Sequence, residues 1–132
     1  MSVLTVMIPV PAELPTANRR WHWARRAKVV AEMRAAAAWV GKSARIKAGE
    51  PPAVGRRYLA ATLTRKKSRG RRQLDWDAAV QALKPSVDGL VTSGILAGDD
   101  PTRLVWVGVD QVWGESDFVT FRVADDVVEV AV

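Results

Sequence analysis

The chain of 132 residues has no cysteine, one histidine (His22), one tyrosine and two phenylalanines. Without cysteine there is no thiol nucleophile, no disulfide scaffold and no thiolate metal site, and the composition fits an intracellular protein. A single histidine excludes His-rich zinc centres. A Ser-His-Asp triad would have to use a residue wedged between Trp21 and Trp23. Apolar runs reach only about ten residues, half of the ~20 that a membrane-spanning helix needs. Met1–Pro11 lacks both a basic start and a small-residue cleavage site, so neither a signal peptide nor a membrane partner is expected.

What is present is 48% hydrophobic and 26% charged, the balance of one globular domain spanning residues 1–132. A chain this long buries roughly two-thirds of its unfolded surface and needs no staple in order to fold. The net charge is +6 and the isoelectric point about 10.3, but the charge is unevenly placed. Residues 1–72 hold 17 Lys and Arg against three acids, whereas residues 73–132 hold three against 11. Six bases, Arg65, Lys66, Lys67, Arg69, Arg71 and Arg72, fall within eight residues, and without them the chain carries 14 bases and 14 acids. Such a segment is an electrostatic footprint for a polyanion, although a Lys/Arg run also serves as a solvated loop.

The spacing of apolar residues predicts an α+β fold. Ser2–Val10 alternates and is β-branched, as expected of a strand, and Pro11–Asn18 follows as a loop. After Trp23 the recurrence of Val29, Met33, Ala37, Val40 and Ala44 predicts a helix, stopped at Gly49-Glu50-Pro51-Pro52. Tyr58–Thr64 reads as a second strand, running into the basic segment, and Asp77–Gly94 as a second helix with Pro85 expected to kink or restart it. After a Gly98-Asp99-Asp100-Pro101 turn, Leu104–Trp113 and Phe118–Val123 read as a hairpin, with Val127–Val132 as a further strand. The expected architecture is a mixed sheet of four to five strands against two main helices.

Three groups of polar residues carry chemistry. Asp75 and Asp77 flank Trp76; on an extended backbone both carboxylates point to one side, about 6–7 Å apart, with room for one hard cation. Oxygen donors favour Mg²⁺ or Mn²⁺; the alternative is a helix N-cap at Asp77 and a surface acid at Asp75. Lys84 lies about two helical turns beyond Asp77, on nearly the same face, where an ammonium stabilises a phosphoryl group or simply pairs with Asp88 four residues on. Asp99 and Asp100 either form the turn or return a third carboxylate toward the metal. A basic loop beside acids holds a nucleic acid onto a site that would otherwise repel it. Tyr58, Trp21, Trp23 and Trp76 offer faces for unpaired bases, core packing being the other use of tryptophan.

The run Asp75-Trp76-Asp77, then Lys84-Pro-Ser-Val-Asp88-Gly-Leu90, then Asp99-Asp100, preceded by Arg-rich sequence, resembles the RusA-type Holliday junction resolvases. The resemblance spans about Arg65–Pro101, with looser agreement in the opening strand, the Pro-rich loop bearing Asn18 and the basic helix. It implies a RusA-like fold and metal ligation by Asp75, Asp77 and Asp100, with Asp99 assisting and Lys84 as the active-site lysine. It further implies a Mg²⁺-dependent endodeoxyribonuclease, encoded by a phage or prophage and working in the bacterial cytoplasm. Its partners would be four-way DNA junctions and a second copy of the chain. Ala78 stands where the family usually has Asn, Lys84 lies three residues later than in short members, and Leu74 replaces an Arg before the acid pair. A basic nucleic-acid-binding protein without catalysis, and a metal nuclease acting on flaps or RNA, share these features.

Overall fold

Alternation decides the first strand. In β1 (Leu4–Pro9) Val6 and Ile8 are buried, while Met7 between them is 57% exposed. The computed structural model describes residues 3–16 and 21–130, so Ser2, Asn18, Ala131 and Val132 lie outside the described residues. Helix α1 (Trp23–Lys47) is followed by β2 (Arg57–Lys66), α2 (Trp76–Ser93), β3 (Leu104–Gly114), β4 (Phe118–Ala124) and a single helical turn, α3 (Val127–Val130). The four strands form one mixed sheet in the order β1-β4-β2-β3, with β2 parallel to β3 and β4 antiparallel to both β1 and β2. This is the expected α+β class, with α1 and α2 packed on one face of the sheet. No helix among the described residues is long and apolar enough to cross a membrane.

Two expectations about the second half of the chain are corrected. β3 and β4 do not form a hairpin, because β2 lies between them. In β2 Leu59, Ala60, Ala61 and Leu63 are all buried, so both faces of the strand are covered at its middle, which requires a central position. Residues 127–130 form a helical turn rather than a strand. Asp126 Oδ1 accepts from the Val128 amide at 3.0 Å, an Asx-type start that favours a turn over an extended ladder. Val130 is buried with Ala60 and Ala124 on the sheet face opposite α1 and α2.

The helices follow their apolar spacing. Met33 and Ala37 of α1 are buried, with Val29, Val40 and Ala44 packed beside them, and the only histidine, His22, caps the helix by accepting from Ala24 N at 3.2 Å. α2 runs unbroken past Pro85, so no restart occurs; Ala82, Leu83, Pro85, Val87 and Leu90 are all buried and packing outweighs the lost hydrogen bond. The helices approach closely at Gly89, where an added Cβ would press on the Arg34 carbonyl oxygen and stand 2.6 Å from Ala37 Cβ. Gly94, at φ 88°, closes α2 in the left-handed conformation that glycine adopts without strain.

Candidate nucleic-acid interface and carboxylate site

β2 carries the chain straight into the basic segment, and the strand period sorts the charges. Arg65 follows Leu59, Ala61 and Leu63 on the helix-covered side and is only 8% exposed. Its guanidinium donates to the Arg72 carbonyl and stands 5.4 Å over the Trp113 ring, and burial, with Arg71 nearby, pulls its pKa down. Arg71 is also committed, donating to Asp117 at 2.8 Å, to the Lys66 carbonyl at 2.7 Å and to the Ala12 carbonyl. Of the six bases expected at a DNA contact, two are thus engaged within the protein and, among the described residues, four are not. Arg65 and Arg71 build the loop, and Lys66, Lys67, Arg69 and Arg72 are the exposed ones.

Asp117, just before β4, ties this loop at both ends. One carboxylate oxygen accepts from the Lys66 amide at 2.9 Å and from Arg71. The Arg71 hydrogen bond, reinforced by the Lys66 amide, holds the Asp117 carboxyl below the usual carboxylate range. A carboxyl with a depressed folded pKa adds stability that is present above its unfolded pKa, near 3.9, and is lost as pH falls through the folded value. Asp117→Ala is expected to cost about 2 kcal/mol at pH 7, with the gap to the parent protein closing below about pH 4. Urea midpoints across pH 2–7 check this, and a pH-independent gap would contradict it.

The loop ends at a side-chain clamp. Gln111 on β3 reads both backbone polar groups of Leu74, its Oε1 accepting from the amide at 2.8 Å and its Nε2 donating to the carbonyl at 2.6 Å. β3 is an edge strand, so this amide does for Leu74 what a neighbouring strand would do. The next residue, Asp75, is the N-cap of α2, with φ −68° and ψ 169° and with Oδ1 accepting from Ala78 N at 2.8 Å. The cap is thus Asp75, not Asp77, and Trp76 is already helical. The two carboxylates are held by the geometry of a helix start rather than by strand alternation. Both acids are exposed, Asp77 lies in the first helical turn, and Trp76 is 52% exposed.

Further along the same helix Lys84 bridges two elements. Its ammonium donates to Asp88 at 3.1 Å, the i,i+4 pair foreseen from spacing, and also to Asp99 in the turn before β3. The Asp99 hydrogen bond is the main cause that raises the Lys84 pKa and lowers that of Asp99, so Lys84 is an ammonium at neutral pH and no general base. Asp100 is engaged elsewhere. Its Oδ1 accepts from the Thr102 amide at 3.0 Å and from the Thr102 hydroxyl, which lowers its pKa, and Arg103 lies 3.8 Å from Oδ2. Val80, Lys84, Val87, Asp99, Leu104 and Trp106 line a cavity of about 110 Å³ between α2, the turn and β3.

Among the described residues no group of three or more His, Cys, Asp or Glu is placed to hold a metal ion. Asp75 and Asp77 offer exposed oxygens at one helix start, a donor set suited to Mg²⁺, which keeps several waters and binds through one or two carboxylates and substrate phosphates. A third carboxylate from the turn would first have to leave Lys84 or Thr102.

Gln111 and Asp117 were not legible as functional residues. Each is a single polar residue in or beside a strand, and nothing in its local spacing points to a partner 37 or 46 residues away. The chain matches no protein-family model, and no curated protein is significantly similar to it.

Proposed function

We propose that this chain is a Mg²⁺-dependent endonuclease of branched DNA, of the RusA type, cutting phosphodiester bonds at four-way junctions. The observation that carries the reading is the succession along the chain of an anchored loop with four exposed bases, a clamped Leu74 and two exposed carboxylates at the start of α2. Lys66, Lys67, Arg69 and Arg72 supply the charge that holds the phosphate backbone against acids that would repel it. Asp75 and Asp77 would hold the ion, which would supply charge neutralisation at the phosphodiester and a lowered pKa of water. Lys84, fixed by Asp88 and Asp99, presents a positive charge to the developing phosphorane rather than taking a proton. A junction has approximate two-fold symmetry and two strands to cut, so a two-fold dimer of this chain is the matching assembly.

The test is a panel of end-labelled substrates: four-way junction, flap, linear duplex and RNA, each with Mg²⁺ and with EDTA. Cleavage of the junction in Mg²⁺, none in EDTA, and little or no cutting of plain duplex is the expected result. Equal cutting of duplex would sink the junction reading. A binding protein without catalysis is the second reading, favoured by the engagement of Asp99 and Asp100 with protein partners, and it gives salt-dependent junction binding with no products.

A further inference from the structure

The nuclease reading leaves one exposed group unused at its own site. Trp76 is the residue between Asp75 and Asp77, the first of α2, and half of its surface faces solvent. Other tryptophans are engaged within the protein: Trp106 packs on the core, Trp113 lies under Arg65, and Trp21 lies under Arg25 and Arg26. Trp23 and Trp39 are 76% exposed but belong to α1. Trp76 combines an open indole with a place between the acid pair and four residues past the last base of the loop. Asp75 caps the helix and Gln111 clamps Leu74, so the backbone beneath the ring is fixed before any ligand arrives.

We propose that Trp76 is a stacking platform for an unpaired base, and that it makes the site favour interrupted over continuous DNA. An aromatic face is sequence-tolerant because every base has a π-face, and each such stack is worth a substantial part of the affinity. In a continuous duplex both faces of each base are already covered, and opening one costs a few kcal/mol. A branch point, gap or single strand presents a face at little cost. The loop's charges attract all DNA alike, and Trp76 adds the preference.

This inference takes its ligand class from the nuclease reading, but its test needs no cleavage. Binding is measured in EDTA by anisotropy, using a single-stranded 12-mer, a duplex with a three-nucleotide gap and an uninterrupted duplex. Trp76→Ala should weaken binding to the first two by about 5- to 100-fold and leave the continuous duplex within about twofold, while Trp76→Phe keeps most of the affinity. Quenching of tryptophan emission by the single strand should be smaller in Trp76→Phe than in the parent. Equal losses on all three ligands, or none, would overturn the proposal, as would a parent protein that binds no DNA. Selective binding without cleavage in Mg²⁺ would sustain Trp76 and remove the nuclease reading. Far-UV circular dichroism of both variants identifies any misfolding, and the Phe variant keeps the test decisive if Ala misfolds.

Discussion

Asp75→Asn or Asp77→Asn should lower the rate of junction cleavage in Mg²⁺ by about 10³-fold, with junction affinity kept or raised. On the proposed reading, the magnitude follows from several kcal/mol of transition-state charge stabilisation that would be lost with a metal-holding carboxylate. The direction of the binding change follows from removing a negative charge beside a phosphate backbone. Asp75 is also the cap of α2, and here the choice of asparagine matters. Asn caps a helix about as well as Asp, so Asp75→Asn leaves the helix start in place and isolates the charge, whereas Asp75→Ala would cost about 1 kcal/mol of cap as well. Asp77 makes no cap and touches α2 only through its first-turn charge, which is worth a few tenths of a kcal/mol to about 1 kcal/mol. Rates from single-turnover cleavage, with melting temperatures alongside, check both variants. Unchanged cleavage would remove these acids from the chemistry.

Replacing Lys66, Lys67, Arg69 and Arg72 together by alanine should weaken junction binding by about two to three orders of magnitude near physiological salt. It should also reduce the slope of log affinity against log salt by roughly three to four, since each phosphate contact contributes about 0.9. All four residues are exposed, so the melting temperature should stay within a few degrees of the parent. Arg65→Ala is the contrast. Its side chain is buried against Trp113 and bonded to the Arg72 carbonyl, so its loss acts on stability and on the shape of the loop. An unchanged salt slope in the fourfold variant would move the footprint elsewhere, α1 with its exposed Lys28, Lys42 and Lys47 being the next element to test.

The two main helices, all four strands and the turn at Asp99-Asp100 were legible because their signals are local. A stripe of Met33, Ala37, Val40 and Ala44 defines a helix whatever it packs on, and Val6 and Ile8 alternate whether or not a partner strand is known. The Lys84–Asp88 pair is equally local, one helical turn apart. The order of strands was not legible. β3 and β4 are neighbours in sequence with only a short connection, which favours a hairpin, and only the need to cover both faces of Leu59–Ala61–Leu63 and Ala60 puts β2 between them.

The sequence by itself determined the α+β class, the concentration of positive charge over residues 65–72 and the succession of Asp75, Asp77 and Lys84 along one stretch of chain. Tertiary structure alone decided which charges face solvent. Strand pairing extended β2 through Arg65 and turned that guanidinium inward, and Asp117, 46 residues from Arg71, engaged a second one within the protein. It also set Gln111 beneath Leu74 and Asp99 against Lys84. Periodicity is a property of one segment, so a segment suffices to show it. A hydrogen bond or ion pair between distant residues exists only once the sheet has brought their backbones within a few ångströms, and no spacing in the chain encodes that approach.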